Sequence, residues 1–143
     1  MAQSLPIATH IFFINNDRIF LMRRANTGFR DGEWSVPAGR LDPDETITAA
    51  TIREASEEVG AEILPENLSS PLVMHHKDER GQRLYFFFIC TKWGGELRNL
   101  ESDKCSEVGW FDFSAPPSPM IPHIKEAFEK MRAGTTYSEY GFA

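Results

Sequence analysis

Apolar and polar positions along the chain change in short blocks, which predicts a sheet-rich domain interrupted by two helices. Ile7 to Ile14 and Arg18 to Met22 are β-prone runs separated by Asn15-Asn16-Asp17, a turn-forming cluster, and together predict a hairpin with Arg23 and Arg24 closing its second strand. Ala25 to Gly32 reads as a loop, Trp34-Ser35-Val36 as a short strand stopped by Pro37, and Ala38 to Glu45 as a second loop. From Thr46 to Val59 the period becomes helical, with Thr46 placed to cap the first turn and Gly60 to end the last. Extended segments follow at Pro71 to His76 and Arg83 to Trp93 around a turn at Asp78 to Gln82, with a further strand at Glu107 to Phe113. After the proline-rich stretch Ala115 to Pro122, Ile124, Ala127, Phe128 and Met131 share one side of a helix from His123 to Arg132. Residues 134–143 show no clear period and are expected to form a tail. Strands mixed with two helices and no internal repeat predict an α/β layered domain built on a mixed sheet.

With 143 residues there is material for one sizeable core, so a single domain over 1–143 is expected. The longest apolar runs are far short of a membrane span and no basic-then-apolar leader opens the chain, which predicts a cytoplasmic protein without membrane contact. Cys90 and Cys105 are too few for a disulfide framework and are expected to be reduced thiols. A net charge of -6 argues against a stable nucleic-acid complex, because phosphate-backbone affinity comes from clustered Lys and Arg. The same charge would repel a small phosphate substrate. Phosphate chemistry in this chain therefore requires a divalent cation between carboxylate and phosphate.

The first helix supplies such carboxylates. On a wheel with Glu54 at zero, Glu57 falls near ~300° and Glu58 near ~40°, whereas Ile52, Ala55 and Val59 lie between roughly 100° and 160°. One side of the helix is thus apolar and the other acidic. Three carboxylates within one turn repel one another, a cost that a hard cation would offset. Alone, such a string is an ordinary solvated helix face.

The spacing around it is not ordinary. Gly39, Glu45, Arg53, Glu54, Glu57, Glu58 and Gly60 fit G-x5-E-x7-R-E-U-x-E-E-x-G-U, with U aliphatic or small, over the contiguous stretch Gly39 to Ala61. Seven fixed positions coincide by chance roughly once in 10⁸ placements at ordinary residue frequencies. This stretch resembles the Nudix box, and Ala61 is small for its last position.

The resemblance implies a Nudix-type α/β/α sandwich around a central mixed sheet, with the box forming loop, helix and loop. It implies that Glu54, Glu57 and Glu58, together with the Ala38 carbonyl, hold Mg²⁺ against a substrate diphosphate, with Mn²⁺ able to substitute. Gly39 would let the loop approach closely, Gly60 would end the helix, and Arg53 and Glu45 would brace the catalytic glutamates. The base that activates water varies among similar proteins, which leaves Glu54, Glu57 and Glu101 as candidates. Hydrolysis of a phosphoanhydride bond in a nucleotide-like small molecule is the implied reaction.

Phe20 to Arg24, Trp34 to Gly39 and Asn99 to Cys105 look like the MutT-type branch, which converts nucleoside triphosphates to monophosphate and pyrophosphate. His76 stands where similar ADP-ribose hydrolases carry a proline, and Lys77-Asp78-Glu79 where dinucleoside polyphosphate hydrolases carry a tyrosine. A sugar nucleotide, a dinucleotide, dihydroneopterin triphosphate or a ligand-sensing role without turnover remain open. Arg24 is a candidate phosphate donor, and Phe86, Met120, Ile121 and His123 are candidates for recognising the base. Adjacent His75 and His76 point to opposite strand faces and are not expected to share a metal. Cys105 has no evident base partner and is not expected to be a nucleophile. Monomer and homodimer are both compatible with the sequence.

Overall fold

The computed structural model describes residues 4–143. In chain order the elements are β1 (Ile7–Asn15), β2 (Arg18–Arg24), β3 (Trp34–Ser35), β4 (Ala38–Arg40), α1 (Ile47–Val59), a 3₁₀ turn at Pro65–Asn67, β5 (Leu72–Asp78), β6 (Gly81–Cys90), β7 (Cys105–Asp112), α2 (Pro122–Arg132) and β8 (Tyr137–Tyr140). The sheet is mixed. Its path runs β3-β2-β1-β6-β5-β8, with β4 on β1 and β7 on β2, and the β1–β6 and β5–β8 pairs are parallel.

β1 changes partners along its length. Near its start it pairs with β4 at Ala8–Arg40, Thr9–Gly39 and His10–Ala38, and only at Ile14 and Asn15 does it meet β2. Between these ends the Ile11 N–H donates to the Pro37 carbonyl, so the backbone stays satisfied where the strands splay.

Alternation along the strands divides the buried side chains into two clusters on opposite faces. Phe12, Ile19, Leu21, Tyr85 and Phe87 join Ile124, Ala127 and Phe128 of α2. Ile11, Phe13, Phe20 and Met22 join Ala55 and Val59 of α1. The pattern predicts an α/β layered domain, and the layering is the α/β/α sandwich that the resemblance implies.

α1 begins and ends where its side chains dictate. The Thr46 hydroxyl accepts from the Ala49 N–H, and Gly60 adopts the left-handed conformation (φ 75°) while its N–H donates to the Ser56 carbonyl. Two segments differ from expectation. Ala38 to Arg40 is a strand rather than loop, because its backbone pairs with β1 although its side chains carry no alternation. Residues 134–143, expected to be a tail, supply β8, which pairs in parallel with β5 from Val73–Tyr137 to His76–Tyr140. Among the described residues no helix is long and apolar enough to cross a membrane.

Candidate active site

Helix α1 lies close against β1 and β4. The Thr51 hydroxyl donates to the Ile47 carbonyl within its own helix, so Thr9 of β1 donates to the Thr51 oxygen in the buried hydroxyl pair that joins helix to strand. Gly39 sits opposite Thr9 on the ladder. A methyl group there would overlap the Glu54 carboxyl carbon and Oε1 and stand 2.6 Å from Glu54 Cγ, so only glycine leaves the glutamate its position.

The acidic face of α1 opens on a cavity of about 490 Å³, lined among others by Glu54, Glu57, Glu58 and Glu101, with Arg23, Arg24 and Lys104 as its cations. Glu58 Oε2 accepts from the Ala38 N–H at 2.9 Å. Burial pushes the Glu58 carboxyl well above the usual carboxylate range, and the charges of Glu54 and Glu101 add to the push. Burial also raises Glu54, against the opposing hydrogen bond from Arg53. Glu57 is more open, with its side chain 55% exposed.

Arg53 holds this face together. Its Nε and one terminal nitrogen donate to the two Glu45 oxygens at 2.7 and 3.0 Å, and it also reaches the Arg40 carbonyl, Glu54 Oε1 at 2.8 Å and Glu57 Oε2 at 3.3 Å. The guanidinium holds Glu45 down to about 2, and Glu45 in turn accepts from the Asp42 N–H, closing the loop before α1. One planar donor fork thus ties loop, strand and two glutamates together.

Glu101 reaches the site because its segment is laced to the end of α1. The Arg98 and Leu100 N–H groups donate to the Val59 and Glu58 carbonyls, and the Glu101 carbonyl accepts from Lys104 and Cys105.

The donor set suits a hard divalent cation. Among the described residues no three His, Cys, Asp or Glu side chains surround one point closely enough to cage an ion. Mg²⁺ does not need such a cage, since it takes one or two carboxylates and fills its remaining positions with water and phosphate oxygens. Glu54 and Glu58, both raised first by burial and further by neighbouring carboxylates (Glu57 and Glu101 for Glu54, Glu54 and Glu101 for Glu58), are the two that such a charge would relieve.

The substrate candidates divide. Arg24 lines the cavity on the acidic face of α1 and also a second, smaller one. Its Nε donates to the Phe29 carbonyl and a terminal nitrogen to the Thr27 hydroxyl. Ile121 and His123 line the second cavity, but Phe86 and Met120 line neither. Phe86 points to the face opposite Tyr85, and its carbonyl accepts from His10 Nδ1. Met120 bridges to Trp34 and packs on the α2-side cluster.

Tyr85, His10, Phe29, Arg40, Arg80 and Arg83 are the cavity residues that sequence reasoning missed. The clue available was the Tyr85–Phe86 alternation, blurred by four successive aromatics. His75 and His76 part as expected: His75 bonds Gln82, while His76 is buried beside Tyr85, His123 and Tyr140. Cys90 and Cys105 are free and buried, and burial pushes both thiols up, which disfavours a thiolate nucleophile.

With this geometry in view, comparison with known proteins is decisive: the family described as NUDIX domain matches residues 4–131. The chain belongs to the Nudix hydrolase family. The 8-oxo-dGDP phosphatase NUDT18 of Homo sapiens is 34% identical over 116 residues, 79% of this chain. This Nudix chain spans about a third of that protein and of its Mus musculus counterpart, 34% of each. The 8-oxo-dGTP diphosphatase of Escherichia coli K12 is 30% identical over 128 residues, covering 86% of this chain and 98% of its own length. The crystal structure of the MutT NUDIX hydrolase from Burkholderia pseudomallei has the same fold, with a TM-score of 0.77 at 24% identity over 89% of this chain and 98% of that one.

Proposed function

We propose that this Nudix domain hydrolyses a phosphoanhydride bond in a nucleoside triphosphate, releasing monophosphate and pyrophosphate, with purine nucleotides of the kind named for its relatives as the first candidates. The observation that carries the reading is the convergence of Glu54, Glu58 and Glu101, from two separate parts of the chain, on one cavity that also holds Arg23, Arg24 and Lys104.

Glu54, Glu57 and Glu58, with the Ala38 carbonyl, would hold the metal. Bound Mg²⁺ would neutralise charge on the diphosphate oxygens and favour the nucleophilic form of water. Glu54 or Glu101 takes the proton from the attacking water as its oxygen bonds to phosphorus and the bond from phosphorus to the bridging oxygen breaks. Arg24 and Lys104 face the charge left on the departing phosphate. Arg53 keeps Glu54 in place throughout, and Gly39 leaves it room. The net charge of -6 and the size of the cavity favour a free nucleotide over a nucleic acid, in a cytoplasmic setting.

The test is to incubate purified protein and Mg²⁺ with canonical and oxidised nucleoside di- and triphosphates, ADP-ribose, dinucleoside polyphosphates and dihydroneopterin triphosphate, and to identify products. Pyrophosphate release from triphosphates is expected, abolished by chelation and restored by Mg²⁺. Glu57→Gln and Glu58→Gln should each lower turnover by orders of magnitude with the fold intact. Unchanged activity in both variants refutes the mechanism, and tight nucleotide binding without turnover of any compound indicates a sensor.

A further inference from the structure

Beyond Arg24, Ser35 and Ala38, which line both spaces, lies the second cavity of about 250 Å³. His10, Tyr85 and His123 line it together with Phe29, and so do four arginines: Arg24, Arg40, Arg80 and Arg83. None of its lining residues is Asp or Glu. The chain as a whole carries 21 acidic against 15 basic residues, so this is a strong local reversal of charge.

Little of that charge is neutralised within the protein. Arg80 and Arg83 share a single carboxylate, Asp78, at 2.6 and 3.3 Å. Arg24 gives its donors to uncharged acceptors, the Phe29 carbonyl and the Thr27 hydroxyl, while the nearby Asp31 carboxylate is occupied by the Thr27 and Gly28 N–H groups and the Thr27 hydroxyl. Arg40 has no carboxylate partner among the described residues. The Arg80 guanidinium lies 3.8 Å from the centre of the Phe29 ring, joining the loop after β2 to the β5–β6 turn beside the cavity and holding the donor in place before any ligand arrives.

A nucleobase needs flat apolar contact and a few polar groups, which Tyr85, Phe29 and His10 supply, and it carries no charge for four guanidiniums to meet. In the proposed reading the substrate diphosphate has Arg24, Lys104 and the cation that the glutamates would hold, and Arg23 is paired with Glu107 at 3.0 Å, which leaves Arg40, Arg80 and Arg83 without a role there. We infer that the second cavity is a subsite for an additional phosphate carried on the ribose, at its 2′ or 3′ oxygen, of a nucleotide whose diphosphate lies against Glu54 and Glu58. Planar guanidiniums bind phosphate oxygens in pairs, and the ribose follows directly on the diphosphate, next to Arg24 at the junction of the two spaces. This rests on the hydrolytic reading of the first cavity.

Calorimetry with guanosine 5′-monophosphate, guanosine 3′,5′-bisphosphate and guanosine 2′,5′-bisphosphate tests it, alongside turnover of the unmodified triphosphate. At least one bisphosphate is expected to bind about tenfold or more tightly than the monophosphate, roughly what one charge-assisted bidentate contact contributes. Arg40→Ala and Arg80→Ala should each shrink that advantage, with unchanged circular dichroism confirming the fold. Affinities within twofold for all three compounds in the wild-type protein overturn the subsite, leaving a cavity that reads only the base. Failure to hydrolyse any triphosphate instead overturns the reading of the first cavity, and the affinity ratio still decides the second.

Discussion

Gly39→Ala isolates the position of one carboxylate from the stability of the fold. The added methyl would stand 2.6 Å from Glu54 Cγ and overlap its carboxyl carbon and Oε1. Ordinary carbon contacts lie at about 3.5 Å, so about 1 Å of separation has to be recovered at Cγ and more at the carboxyl carbon. The backbone of residue 39 cannot easily supply it, being paired with Thr9 while Thr9 is tied to Thr51 of the same helix. The Glu54 side chain therefore moves. Displacing a catalytic group by about 1 Å costs on the order of 100-fold in rate, about 2.7 kcal/mol of transition-state stabilisation. Stability changes far less: loss of the Arg53–Glu54 contact costs under about 1 kcal/mol, and reduced freedom of the unfolded chain offsets it by about 0.4–1 kcal/mol. The expected result is kcat down about 100-fold with Tm within about 4 °C of wild type, read by pyrophosphate release and differential scanning fluorimetry. Wild-type kcat in a folded variant would refute the claim that Glu54 acts from its observed place, and a drop in Tm beyond about 10 °C would show that the strand, not the side chain, absorbs the overlap.

The remaining predictions concern the brace and one buried imidazole. Arg53→Lys keeps the charge but cannot span Glu45, Glu54 and the Arg40 carbonyl from one nitrogen, so the Mg²⁺ concentration for half-maximal activity should rise about 10- to 100-fold; an unchanged metal titration would remove Arg53 from the positioning role. Burial lowers His10 from 6.5 to about 4, so the unfolded chain takes up this proton before the folded one does. The stability associated with the neutral ring is present above about pH 6.5 and lost as pH falls toward 4, by up to about 3 kcal/mol. Urea midpoints at pH 7, 5.5 and 4.5 should fall more steeply for wild type than for His10→Phe, which keeps an aromatic ring beside Phe87; parallel pH profiles would contradict the assignment.

The helix of the proposed catalytic face was legible because its determinants are local. Thr46 and Gly60 mark the ends of α1, and the acids and apolar residues between them follow a single helical period. Glu101 could be named from its place between two strands, although the hydrogen bonds from residues 98 and 100 that bring it to α1 have no sequence signature. β4 and β8 were not legible for a related reason. Ala-Gly-Arg and Tyr-Ser-Glu-Tyr carry little alternation, and both become strands through backbone pairing with distant partners, β1 and β5. The second cavity was the hardest to read. Its residues come from β1, the end of β2 and the loop after it, β3, β4, the β5–β6 hairpin and α2, and the four successive aromatics Tyr85 to Phe88 blur the alternation that sets Tyr85 apart from Phe86.

The sheet that separates the two hydrophobic clusters also separates two sets of supports. Carboxylates, brace and glycine depend on the layer beneath α1, whereas Tyr85, Ile121 and Ile124, in the wall of the arginine-lined cavity, belong to the layer beneath α2. Substitutions at side chains that share no packing partners have nearly additive effects. Under the proposed reading, substitutions that repack the layer beneath α2 are expected to alter which nucleotide is bound while leaving the carboxylates of α1 in place.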